Sequence, residues 1–374
     1  MTDLHPGPTN SLADVAGIRV GHAGRRADGW LSGTTVILAP SSGAVAGVDV
    51  RGGGPGTRET DVLDPRNMVE RIHAIVLSGG SAFGLATADG VMQRLFEAGV
   101  GYPAGGPGEV VPIVPGAIIF DLGRGGDFTR RPGAAMGEEA YDAALSGKTG
   151  PGHPGPIPPG PVPAGAVGAG TGAVSGGLKG GVGSASVVLK DGTTLAALVV
   201  VNSLGSCVDP ATGELYAARF GLAGEFSHLR PPDMDEVVAA RAAAERARDP
   251  DGRGYALATT IGVVATDASL TKAQCAKVAG IAHDGMARAI RPVHTMFDGD
   301  TVFALATGGR VAPDPLAFHA LLEAGGDCFT RAIGHAILAA ESVETPAGHW
   351  RSYRDAFPSA FRITAAGERR VDGE

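Results

Sequence analysis

The segment Leu257-Ala258-Thr259-Thr260-Ile261-Gly262-Val263-Val264 sets two hydroxyls where a charged, Gly/Pro-rich stretch gives way to a buried strand. A threonine in that place could become an N-terminus. Cleavage between Ala258 and Thr259 would give Thr259 a free α-amine beside its own hydroxyl. Nucleophile and general base would then occupy one residue, which is amide-hydrolase chemistry. A Thr-Thr pair opening a β-branched strand is also ordinary strand composition, so the reading depends on its companions. Asp298-Gly299-Asp300-Thr301 places two carboxylates one residue apart at the approach to another strand. A carboxylate near the α-ammonium of Thr259 would hold and tune it, as the third member of a triad orients its base; the same residues make a common solvated turn. Lys179 is a lone cation in Gly176-Gly177-Leu178-Lys179-Gly180-Gly181, and such a lysine either snorkels from the surface or points into a site. Asn202 closes the apolar run Leu198 to Val201. Its amide N–H could stabilise an oxyanion or serve only to form a turn.

Elements must position these groups. Residues 17–50 read as short strands, including Gly33 to Leu38 and Ala44 to Val50, followed by the glycine loop Arg51 to Thr60. Ala74 to Leu77 is a buried strand; after Ser78-Gly79-Gly80-Ser81 a helix is expected with Phe83, Leu85, Val91, Met92, Leu95 and Phe96 on one face. That strand–glycine–helix turn is either an anion cradle or a point of close packing. Residues 148–165 form a Pro/Gly tract, a surface loop or linker. Beyond it, 185–189 and 195–201 read as a strand pair about Asp191-Gly192, and 233–248 as a charged, Ala-rich helix. The turn-rich run Asp249 to Gly254 would make an exposed joint upstream of Thr259. Thr271 to Gln274 offers a capping box to a helix that carries Val278, Ile281, Ala282, Gly285 and Ala289 on one face, and a helical region runs from Pro315 to about Ser342. Alternating groups of strands and helices predict one α/β domain over 1–374, sheets packed between helical layers.

Composition narrows the class of partner. With 374 residues and 44% apolar content the chain can bury a large core. A net charge of −8 without a basic cluster argues against nucleic acid and against an anionic membrane surface. No run approaches the ~20 apolar residues of a membrane span, and MTDLHPGPTN lacks a signal-peptide pattern, so a cytoplasmic location is expected. Cys207, Cys275 and Cys328 suit reduced thiols. The scattered histidines offer no metal motif, so neither metal nor cofactor is expected. His283-Asp284 reads as a structural or surface pair.

Taken together, Thr259-Thr260-Ile261-Gly262 with Ala265-Thr266-Asp267-Ala268, the segment Asp298 to Ala304, the lysine loop Gly176 to Gly183, Val201-Asn202 and Leu77 to Leu85 resemble the DmpA/NylC family of N-terminal-nucleophile peptidases and amidases. The likeness extends over roughly residues 10–345. It implies a four-layer αββα sandwich cut into an α chain, 1–258, and a β chain, 259–374, within a homo-oligomer, a tetramer by resemblance. It also implies that Thr259 is the nucleophile, with Lys179, Asn202, Asp298 and Asp300 around it, Ala258 as the residue before the cut, and Thr260, Phe120 and Ser81 toward a small amide or peptide substrate.

Two departures bear on that carry-over. Nylon-oligomer hydrolases have Asn before the nucleophile, where Ala258 stands here. DmpA-type aminopeptidases carry a glutamate after a Val-Val-Gly-like segment, where this chain has Val111 to Asp121 without it, which favours an apolar acyl chain over a charged terminus. An aminopeptidase/D-esterase of the same family is one rival reading. An ornithine-acetyltransferase-like enzyme is another, but its Lys-Gly-x-Gly-Met-Ile loop is missing. An unprocessed protein that binds a small ligand is a third.

Overall fold

The computed structural model describes residues 4–146, 160–247 and 257–361. The expected joint at Asp249 to Gly254 and most of the Pro/Gly tract lie outside them. Two five-stranded sheets form the centre of the molecule. The first orders β1 (Arg19–Arg25), β2 (Ser32–Leu38), β5 (Ala74–Ser78), β6 (Gly116–Ile118) and β4 (Thr57–Arg58) as β1-β2-β5-β6-β4. The second orders β7 (Gly181–Val188), β8 (Thr194–Val201), β9 (Ile261–Thr266), β10 (Thr301–Ala306) and β3 (Val45–Val50) as β7-β8-β9-β10-β3. Pairing is antiparallel except at β5–β6 and β9–β10, each joined through a helix.

Side chains alternate between the faces of each strand, and here both faces are covered. Ile75 and Leu77 of β5 meet Leu198 and Val200 of β8, Ile261 and Val263 of β9 and Phe303 of β10 in a core between the sheets. Their neighbours Ala74 and Val76 pack outward with Val91, Leu95, Met136 and Tyr141 of helices α1 (Thr87–Glu97) and α2 (Ala134–Ser146). Val199, Val264 and Ala304 face Val278, Ala282, Phe329 and Ile333 of α4 (Lys272–Ala289) and α5 (Pro315–Ala339). The layers are therefore helix, sheet, sheet, helix: the αββα sandwich. Double coverage explains the continuous β-branched runs, and each fully buried aliphatic side chain contributes about 1.5–3 kcal/mol. The charged helix expected at 233–248 is α3 (Met234–Ala247).

The capping box forms as expected: the Thr271 hydroxyl accepts from Gln274 N, and the Gln274 side chain accepts from Thr271 N at 2.9 Å. The expected face of the helix after Ser81 does not. A 3-10 turn, Ser81–Ala86, precedes α1, and its tighter pitch breaks the phase between Phe83 and the later residues. Phe83 and Phe96 are 52% and 50% exposed, while Ala88, Val91 and Leu95 carry the burial. Among the described residues no helix is long and apolar enough to cross a membrane.

Candidate active site

Strand register builds the site. Val200 pairs with Ile261 in the antiparallel β8–β9 ladder, and Ile261 with Thr301 in the parallel β9–β10 ladder. Extending both past the strand ends sets Asn202 beside Thr259 and Thr259 beside Gly299. The hydrogen bonds agree: Thr259 N donates to Asn202 O at 2.7 Å, and the bridge between Ala258 and Asp298 keeps the parallel register. Asn202, Thr259 and Gly299 thus form one row just past the ends of the three middle strands of the second sheet, all in buried surroundings.

The Ala258–Thr259 peptide is held on both sides. Its N–H is the group bound by Asn202 O. Its carbonyl accepts from Gly299 N at 3.1 Å and from the Thr259 hydroxyl at 2.5 Å. The Gly299 N–H draws electron density from the carbonyl carbon and is placed to receive charge on its oxygen, while the Thr259 hydroxyl rests against the same group. Glycine at 299 is a matter of space: a Cβ there would stand 2.8 Å from Thr259 Oγ1 and 2.7 Å from Gly54 O.

The two carboxylates flank this row. Asp300 Oδ1 accepts from Thr260 N at 2.7 Å; its Oδ2 accepts from His294 N at 3.1 Å and lies 2.8 Å from His294 Nδ1. Asp298 Oδ2 accepts from Thr295 N at 2.8 Å and Thr295 Oγ1 at 2.6 Å. Burial first, and then the neighbouring Asp300 charge, raise the Asp298 pKa against the pull of the Thr295 donors. Both carboxylates therefore shape the turn that presents Gly299 and the backbone that presents Thr259. Thr260 is fully buried, with its own hydroxyl unpartnered.

Lys179 is completely buried. Its Nζ donates to Gly170 O at 3.0 Å, Ala173 O at 2.8 Å and Gly180 O at 2.8 Å, the three acceptors that an ammonium requires. Burial drives its pKa well below the usual lysine value, with Arg124 and Arg26 adding repulsion and Asp121 opposing it. Its described bonds go to the glycine-rich loop rather than to Asp298 or Asp300. That loop meets the site through Val174 N, which donates to Asn202 Oδ1 at 3.0 Å. Phe120 is brought to the same residue: its carbonyl accepts from Asn202 Nδ2 at 3.3 Å. Ser81, with φ +52°, donates from its backbone N to Ile119 O at 3.0 Å, one residue from Phe120. In the Ser78–Ser81 turn Gly80 N donates to Asp121 Oδ1 at 2.7 Å, and the chain packs closely, a Cβ at Gly84 falling 1.8 Å from Gly79 O.

Four participants escaped the sequence reading. Gly299 lay between two residues already chosen. His294 had no spacing signal. The expected pair His283-Asp284 divides: His283 is fully buried, with Nε2 2.9 Å from Asp49 O and its ring edge-on to His294 at 4.7 Å, while Asp284 pairs with Arg51 at 3.2 Å. Burial lowers the His283 pKa to about 4. Asp121 and Arg124 complete the set, the arginine flanked by glycines as Lys179 is.

A family model settles the chain's affiliation: that of peptidase family S58 matches residues 10–351. The chain belongs to peptidase family S58. An "uncharacterized aminopeptidase" of Mycobacterium leprae is 47% identical, over 98% of this chain and 99% of that protein. A "6-aminohexanoate-oligomer endohydrolase" of Kocuria sp. is 30% identical, over 79% of this chain and 74% of its own. Among solved structures, a Burkholderia sp. beta-aminopeptidase superposes with a TM-score of 0.68 at 22% identity, covering 96% of each chain. An L-aminopeptidase D-Ala-esterase/amidase of Ochrobactrum anthropi, described as a variant of the Ntn hydrolase fold, gives 0.66 at 20% identity, over 93% of this chain and 92% of that one. These likenesses show the fold. As an S58 member the chain is an enzyme of the peptidase/amidase class.

Proposed function

We propose that this S58 chain is a self-processing amide hydrolase whose nucleophile is Thr259. The observation that carries the proposal is the grip on the Ala258–Thr259 peptide, with its N–H on Asn202 O and its carbonyl on Gly299 N. In the precursor the Thr259 hydroxyl turns from the Ala258 carbonyl oxygen to attack the carbon. The C–N bond breaks, the acyl group passes to Oγ as an ester, and water hydrolyses it. The products are an α chain, 1–258, ending in a carboxylate and a β chain, 259–374, beginning with a free amine. That amine then takes the hydroxyl proton as Oγ attacks a substrate amide. The Asn202 amide and Gly299 N–H receive the oxyanion, the protonated amine supplies the leaving group's proton, and water releases the acyl group. Asp300 holds Thr260 N beside the nucleophile, Asp298 fixes the turn that presents Gly299, Lys179 secures the loop behind Asn202, and Thr260, Phe120 and Ser81 face the substrate. The assembly is a homo-oligomer, a tetramer by family resemblance.

Substrates are peptides or oligoamides of the 6-aminohexanoate type; the Mycobacterium leprae relative's name supports aminopeptidase action as the second reading. The first test is intact mass under denaturing conditions. Scaling 37.4 kDa by the 258 and 116 residues of the two pieces gives roughly 26 and 12 kDa, the smaller beginning Thr259-Thr260-Ile261. A single uncut species after prolonged incubation would sink the hydrolase reading and favour a ligand-binding protein. Comparing an amino-acid p-nitroanilide with its N-acetylated form then separates the two substrate readings, since an aminopeptidase requires the free amine.

A further inference from the structure

Asn202 is fixed more firmly than a residue at a strand end requires. Its Oδ1 accepts from Arg124 Nη1 at 2.5 Å as well as from Val174 N, while Nδ2 donates to Phe120 O. Arg124 Nη1 also donates to Gly172 O at 2.6 Å, which ties the guanidinium to the loop that Lys179 secures. Placing Arg124 here has a cost, since burial disfavours its charge and that charge in turn disfavours the charge of Lys179. Asp121 is the counter-charge. It is buried beside Arg124 and anchored by Gly80 N. A cation, balanced by a buried carboxylate, is thus committed to one amide oxygen.

The chemistry of a carboxamide explains the commitment. Its two orientations differ by a half-turn that exchanges an acceptor with a donor. A guanidinium can only donate, so it admits Oδ1 on its side and requires Nδ2 on the other. Nδ2 carries two N–H bonds, of which the one to Phe120 is accounted for in the described contacts. The flipped amide would set Oδ1 against the Phe120 carbonyl and present a lone pair where an oxyanion must be received. Because Asn202 O also holds Thr259 N, one residue connects the arginine to the nucleophile.

We infer that Arg124 is a positioning residue for amide hydrolysis, locking the Asn202 carboxamide so that its N–H side serves the oxyanion. The inference rests on the proposed role of Asn202. The test uses the full chain, with hydrolysis of an amino-acid p-nitroanilide and of a 6-aminohexanoate oligomer measured per mole of Thr259 terminus. Arg124→Met is expected to lower kcat by about 10²-fold, as for loss of an oxyanion donor, with KM changed less than about threefold. Asn202→Ala should give a comparable loss, and the double variant no further loss than Asn202→Ala alone. Arg124→Lys, which keeps a donor, should recover at least ~10-fold of the loss. Losses that multiply in the double variant, or an unchanged kcat with a raised KM, would overturn the inference, the latter making Arg124 a substrate anchor. If Arg124→Met does not fold, Arg124→Lys with and without Asn202→Ala supplies the same cycle. A wild type that neither cuts nor hydrolyses would overturn the proposed function itself; a wild type that does both while the variant losses multiply would overturn Arg124 alone.

Discussion

Asp121 is a buried carboxylic acid next to the site, 2% exposed. Burial pushes its pKa up to about 6, although Gly80 N–H and the Arg124 charge both pull it down. The folded protein therefore binds this proton more tightly than the unfolded chain, whose aspartates titrate near 3.9. Its contribution to stability is full below about pH 4 and is lost as pH rises to about 6, a change on the order of 3 kcal/mol. Asp121→Asn carries no such titration. Measured by urea unfolding in a Thr259→Ala background, which keeps the chain whole, the Asn variant should gain on its parent by about that amount between pH 4 and pH 7. A constant difference across that range would show that Asp121 stays ionised throughout.

At the scale of elements, the site is a property of register. Asn202 and Thr259 meet because β8 and β9 pair so that Val200 faces Ile261, and Gly299 joins them because β10 runs parallel to β9 in the same register. Gly299 does not adopt a left-handed φ, so Gly299→Ala tests space alone. Its Cβ would press on Thr259 Oγ1 and Gly54 O, and we expect self-cleavage to slow by at least ~10-fold, about 1.4 kcal/mol on the barrier, followed by mass over time. Cleavage at the wild-type rate would remove Gly299 from the mechanism.

The strands behind this row were legible in the sequence because β-branched runs and turn residues are local signals; 195–201 and the Thr271 cap were read almost to the residue. Thr259, Asp298, Asp300, Lys179 and Asn202 were singled out by type and setting, but the sequence held no sign of how they meet. Pairing of strands is non-local, and the Arg124–Asn202 bond closes over 78 residues. The phase of the helix after Ser81 was misread for a local reason, the intervening 3-10 turn.

The whole molecule interleaves the two proposed chains. β9 and β10, with α4 and α5, follow Thr259. They lie between β8 and β3, which precede it, and α5 covers β7 and β8. After complete cutting, the ~26 and ~12 kDa pieces should therefore elute together in size-exclusion chromatography without denaturant and part only when it is added. Separation under native conditions would mean that the sheet does not hold them.

That strand order gives the molecule a history. Before the cut, the sheet is reached from one chain and can be lost and regained as a unimolecular event. After the proposed cut, β9 and β10 must find their slot between β8 and β3 as part of a separate molecule, so regain depends on encounter and on concentration. A protein that matures this way trades a reversible balance for a clock. Its working life is set by how slowly the shared sheet opens, and dilution alone makes each opening harder to undo.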